Sequence, residues 1–113
     1  MSGLTTHVLD LALGRPARGV RVSLARRDAA GAWAPVADVT TDDDGRVRDF
    51  LGGGTLETGR YLMTFHTGDY FRARGEKSFH PEVPVTFEVG DPAQHYHVPL
   101  LLSAFGYSTY RGS

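Results

Sequence analysis

The side chains able to do chemistry gather near the two ends of this sequence. His95 and His97 stand two residues apart at the head of an apolar run, and the last four residues, Tyr110-Arg111-Gly112-Ser113, bring a ring, a guanidinium and a hydroxyl up to the final carboxylate. His7 lies in the apolar stretch Leu4-Thr5-Thr6-His7-Val8-Leu9-Asp10, and Arg46 directly follows Asp42-Asp43-Asp44-Gly45. Histidine, with an ordinary pKa of about 6.5, can act as neutral base or charged acid near neutrality. The arginine fork suits planar pairs of oxygens, so Arg46 could clamp an anion or an oxyanion.

Each of these residues also has an ordinary reading. His95 and His97 could be rim residues without a task. A His-x-His pair is also two of the ligands of many metal sites. The third ligand would be His7, His66, His80 or a carboxylate, and spacing selects none of them. His7 alone reads as a strand histidine, and His66 and His80, near loops, read as surface residues. Arg46 could be solvated and weakly paired to the upstream aspartates, with Arg48 a competitor on the same side of the strand. Arg111 and Ser113 could belong to a loose tail. Ser113 is not a serine-hydrolase nucleophile, because no Gly-x-Ser-x-Gly elbow is present.

The elements that must position these residues are short and strand-like. Residues 19–26 alternate apolar with polar, a half-buried strand. Asp28-Ala29-Ala30-Gly31 turns the chain into residues 33–40, where Pro35 demands an edge or a bulge. Asp44-Gly45 suits a tight turn leading to a strand over 46–50, and Gly52-Gly53-Gly54 is a connector. Residues 60–66 form a further strand. Residues 68–75 suit a short helix with Asp69 as cap and Gly75 as stop. Val83, Val85, Phe87 and Val89 alternate inward. In the strand from His95 to Leu102, Tyr96, Val98, Leu100 and Leu102 face a core, whereas His95, His97, Pro99 and Leu101 share the outer face. That outer face is too apolar to stay wet, so a partner subunit is expected over it. A strand over 107–111 closes the series. Seven or eight strands at this spacing predict an all-β sandwich of two antiparallel sheets, without the Cys-Trp-Cys arrangement of an immunoglobulin domain.

Composition sets the outer limits. A chain of 113 residues reads as one domain over 1–113, able to bury roughly 65% of its unfolded surface. The net charge of -1 gives no field for nucleic acid or anionic membrane. No cysteine is present, which removes disulfides and thiolate metal sites. No apolar run approaches the roughly 18 residues a membrane helix needs. Met1 to His7 lacks the basic and apolar regions of a secretory signal, so a cytoplasmic protein is expected.

Taken in order, Leu4–Asp10, Gly14-Arg15-Pro16-Ala17, Thr41–Arg46, Phe79–Val85, His95–Ser103 and Tyr110–Ser113 resemble the transthyretin-related 5-hydroxyisourate hydrolases almost end to end. The closing tetrapeptide separates those enzymes from transthyretin, the hormone carrier. The resemblance implies a transthyretin-like sandwich and hydrolysis of 5-hydroxyisourate to 2-oxo-4-hydroxy-4-carboxy-5-ureidoimidazoline in urate breakdown. It implies catalytic roles for His7, Arg46 and His97, and a pocket lined by Tyr110, Arg111, Gly112 and Ser113. It also implies no metal or other cofactor, and a homotetramer (a dimer of dimers) with sites where subunits meet. The alternative is a carrier of the same fold that binds a small aromatic ligand in the intersubunit channel.

Overall fold

The computed structural model describes residues 3–113, so the Met1-Ser2 part of the N-terminal reading lies outside the described residues. Those residues form nine strands and one helix: β1 Leu4–Asp10, β2 Arg15–Pro16, β3 Arg21–Arg27, β4 Trp33–Thr40, β5 Arg46–Val47, β6 Gly59–Phe65, α1 Thr67–Ala73, β7 Val83–Val89, β8 Tyr96–Ser103 and β9 Gly106–Thr109. One sheet runs β4-β3-β6-β7; the other runs β2-β1-β8-β9, with β5 added beside β1. The all-β sandwich expected from the strand spacing is present.

One of its sheets is not purely antiparallel, which corrects the expectation of two antiparallel sheets. β1 and β8 run parallel, from Leu4↔Tyr96 to Asp10↔Leu102. Some ninety residues separate the two strands in sequence, so no hairpin constrains their relative direction. The register places Thr5 opposite His97 and His7 opposite Pro99. The far edge of β1 is shared: β5 pairs Thr6↔Val47 and His7↔Arg46, and β2 takes over at Leu9↔Pro16. At the handover the Val8 N–H donates to the Gly45 carbonyl at 2.7 Å, and the Ala17 N–H donates to the Val8 carbonyl at 2.9 Å.

Alternation fills the space between the sheets. Leu4, Val8, Tyr96, Val98, Leu100 and Leu102 meet Val22, Leu24, Tyr61, Met63, Phe65, Val83 and Val89, all buried. Apolar area removed from water in this way is the main stabilising term of such a sandwich. Pro35 lies on edge strand β4 next to a bulge at Val36, where the register against Leu24 and Ala25 shifts and a residue without an N–H is tolerated.

Three local expectations are corrected. The strand expected over 46–50 is only Arg46–Val47, because Arg48 leaves the ladder to pair with Asp42 and Asp44. The helix begins at Thr67, so Asp69 lies within its first turn, bonded to Arg72, and is not its cap. Gly75, at φ +71°, does stop that helix. His66, expected at the surface, is half-buried and hydrogen-bonded through Nε2 to the Ser23 hydroxyl at 2.8 Å.

Candidate active site

The outer face of the mixed sheet brings His7, Arg46 and His97 together. His7 and Arg46 are direct cross-strand partners, and His97 lies one strand further on, opposite Thr5. The order across the sheet is therefore β5, β1, β8, with one of the three side chains from each. Side chains on neighbouring strands at this spacing can interact directly.

The turn before Arg46 is built by Asp42. Its Oδ1 accepts the N–H groups of Asp44 and Arg46, each at 2.9 Å, while the Gly45 N–H donates to the Asp42 carbonyl at 2.9 Å. Gly45 sits at φ +73°, and a Cβ there would lie 2.4 Å from the Val8 carbonyl oxygen. Only glycine fits, both for its backbone angle and for its closeness to β1. The turn also presents the Asp44 carbonyl to His7 Nε2 at 2.8 Å. A carbonyl only accepts, so Nε2 carries the proton and the neutral ring keeps its lone pair on Nδ1.

The aspartates that might have neutralised Arg46 are engaged elsewhere. Asp42 and Asp44 pair with Arg48, at 3.5 and 3.0 Å, and Asp43 lies 3.6 Å from Arg18. Among the described residues the Arg46 guanidinium has no ion pair and no hydrogen bond. A half-buried, unpaired cation beside two imidazoles is poised for an anion from outside the chain.

Both imidazoles are held toward the neutral form. Burial lowers the pKa of His7 below 6.5, and the Arg46 charge lowers it further, against a raising contribution from the Asp44 hydrogen bond. Burial likewise lowers the pKa of His97, followed by the charges of Arg46, His7 and His95. Desolvation and a nearby like charge both disfavour the imidazolium.

The C-terminal residues are held rather than loose. β9 pairs with β8 from Ser103↔Gly106 to Leu100↔Thr109, and the same register continues to a bridge at His97↔Gly112. Pro99 has no N–H to donate, which interrupts the ladder between. The Thr109 hydroxyl donates to the Pro99 carbonyl at 2.7 Å, and the Gly112 N–H to the His97 carbonyl at 2.8 Å. Gly112 lies flat against the His97 ring: a Cβ there would be 2.6 Å from its Cδ2. Pro99 is thus buried within the chain itself, and a partner subunit is not needed to cover that residue.

Not every residue of the closing tetrapeptide reaches the imidazoles. Arg111 lies over the Tyr96 ring at 4.5 Å and donates to Gln94 Oε1 and the His95 carbonyl, on the core side of the sheet. Tyr110 and Ser113 are exposed. Among the described residues no group of three or more histidine, aspartate or glutamate side chains is arranged to hold a metal ion. His95 Nε2 and His97 Nδ1 instead share the Thr5 hydroxyl, at 3.0 and 2.8 Å. Thr5 escaped the sequence reading. The only available signal was its i, i+2 relation to His7, and the β1–β8 register that gives it meaning is not written locally.

The chain is a two-sheet sandwich of transthyretin-like fold with an imidazole–guanidinium cluster on one outer face. The chain belongs to the HIUase/Transthyretin family, whose pattern it matches over residues 4–112. It is 50% identical to 5-hydroxyisourate hydrolase 2 of Rhizobium meliloti, over 97% of this chain and 95% of that one. It is 48% identical to the 5-hydroxyisourate hydrolase of Caulobacter vibrioides over the whole of both chains. Among solved structures, Klebsiella pneumoniae 5-hydroxyisourate hydrolase superposes with a TM-score of 0.88 at 39% identity, covering all of both chains. Transthyretin from Sparus aurata superposes at 0.93 with 29% identity, over 99% of this chain and 97% of that one.

Proposed function

We propose that this chain hydrolyses 5-hydroxyisourate to 2-oxo-4-hydroxy-4-carboxy-5-ureidoimidazoline, a step of urate breakdown. One observation carries the reading: an unpaired guanidinium stands beside two imidazoles that burial and its own charge keep neutral. The names of the relatives supply the substrate. The carrier reading accounts for the sandwich, which transthyretin shares. It gives that cluster nothing to do.

In the proposed reaction His97 is the general base. Its Nδ1 is engaged by Thr5, and Nε2 has no partner among the described residues. Water attacks the ring carbonyl carbon and gives its proton to Nε2. The developing oxyanion lies by Arg46, the kind of charge stabilisation that is often the largest single catalytic contribution. The C–N bond then breaks, the imidazolium returns its proton to the leaving nitrogen, and one water is consumed. His7, its tautomer fixed by the Asp44 carbonyl, orients substrate or water through Nδ1. Tyr110, Gly112 and Ser113 line the pocket mouth, while Arg111 anchors the tail. No cofactor enters any step.

The reading includes a cytoplasmic homotetramer with sites where subunits meet. Supporting it, the cluster lies on an outer sheet face, and large apolar side chains such as Phe79 (71% exposed) and Phe105 (73% exposed) remain uncovered in one chain. No helix among the described residues is long and apolar enough to cross a membrane.

The test is to generate 5-hydroxyisourate in place with urate oxidase and follow its ultraviolet absorbance. The protein should accelerate decay well beyond the uncatalysed rate, and Arg46→Met should remove most of that acceleration. A folded protein that leaves the decay unchanged would refute the hydrolase.

A further inference from the structure

Thr5 sits between two imidazoles in a way that proton counting constrains. Its Oγ1 is 2.8 Å from His97 Nδ1 and 3.0 Å from His95 Nε2. A hydroxyl has one proton to give and two lone pairs to receive. With both rings neutral it can donate to only one of them, and the other must bring its own N–H. Because it faces Nδ1 of His97 and Nε2 of His95, a hydroxyl that donates to one ring and accepts from the other gives both the same tautomer, Nδ1–H in both or Nε2–H in both.

We infer that Thr5 is a positioning residue whose hydroxyl, shared between His95 and His97, fixes the tautomer of His97 that keeps Nε2 as the basic nitrogen. In that arrangement His97 Nδ1–H donates to Thr5, and Thr5 Oγ1–H donates to His95 Nε2. The opposite arrangement would put the His97 proton on Nε2, where it could not accept one from water.

The choice of a hydroxyl has a physical consequence. A carboxylate in this place would orient the ring equally well but would stabilise the imidazolium and raise its pKa. A neutral hydroxyl fixes the tautomer and leaves intact the lowering that burial, Arg46, His7 and His95 impose. Threonine is also stiff about χ1 on a strand, so the oxygen position is defined before substrate arrives.

The kinetic arm of the test rests on the hydrolase reading; the spectroscopic arm does not. Thr5→Val keeps the shape and removes the hydroxyl, whereas Thr5→Ser keeps the hydroxyl. Ring nitrogen shifts of His97, read by 15N NMR above its pKa, should show Nε2 unprotonated in wild type and in Thr5→Ser. In Thr5→Val they should move toward the other tautomer or a mixture. Turnover in Thr5→Val should fall about tenfold or more, part of the 10²–10⁴ that a general base contributes, with KM unchanged and Thr5→Ser near wild type. An unchanged His97 tautomer in a folded Thr5→Val variant would overturn the inference whatever its rate, and so would a switched tautomer at full turnover. If wild type proves inactive on 5-hydroxyisourate but the tautomer still switches, the lock stands and only the hydrolase reading falls.

Discussion

Gly112 is the residue whose smallest change should tell most. A methyl group there meets the His97 ring at 2.6 Å and Pro99 at 3.3 Å. Gly112→Ala should therefore push the imidazole aside and cut kcat roughly tenfold to a hundredfold, the range expected when a catalytic group is misplaced by about an ångström. The melting temperature should move little, because the methyl meets Pro99 on the outer face and no side chain between the sheets; a matching loss of stability would make the tail a structural strap. Arg46 can be tested through pH. Its charge helps to hold His7 and His97 below 6.5, and activity requires the neutral base, so kcat/KM should fall on an acid limb centred below 6.5. Arg46→Met should raise that midpoint toward 6.5. The sign for stability follows from the same shifts. The unfolded chain takes its protons near 6.5 and the folded chain only lower, so stability falls as pH drops through that window. Thermal melts at pH 7.5 and 5.5 should show a smaller acid loss in Arg46→Met than in wild type. Residue type offered His7, Arg46 and His97 only as candidates beside ordinary readings, and the family resemblance is what selected the three. That Arg46 is unpaired was not visible, since it depends on Arg48 and Arg18 occupying the three aspartates.

The 42–45 turn couples the fold to the site. It carries Arg46 on its exit, offers the Asp44 carbonyl to His7, and buries Gly45 against β1. Gly45→Ala should cost at least about 1–2 kcal/mol from the left-handed backbone alone, with the 2.4 Å approach to the Val8 carbonyl adding to it. Denaturant unfolding should register that loss, and turnover should fall with it, because His7 and Arg46 both depend on the turn. Wild-type activity in Gly45→Ala would separate turn from site. Elements with strong local signals were legible, such as the alternation of Val83 to Val89 and the Asp-Gly turn. What remained hidden depended on distant partners. Parallel pairing of β1 with β8 has no local signature, and it alone puts Thr5 between two histidines. The end of β5 and the start of α1 were misplaced for a related reason: Arg48 is drawn to the turn carboxylates, and the Gly68 N–H bonds to the Pro81 carbonyl at 3.0 Å.

At the scale of the whole molecule, the fold is shared with a protein of different name, and so it does not decide function. Superposition on a transthyretin at 0.93 and on a hydrolase at 0.88 leaves the decision to side chains on one sheet face. If that face works at a subunit boundary, light scattering should give four times the 12.3 kDa of one chain; a catalytically competent monomer would dismiss the shared site. The central claim, that His97 is the base of a hydrolase, is tested most directly by the decay rate of 5-hydroxyisourate with His97→Ala beside His95→Ala. Loss of roughly 10²–10⁴-fold in the first, with far less in the second, is the result that general-base catalysis at His97 requires. Equal rates for His97→Ala and wild type, from folded protein of the same mass, would contradict it.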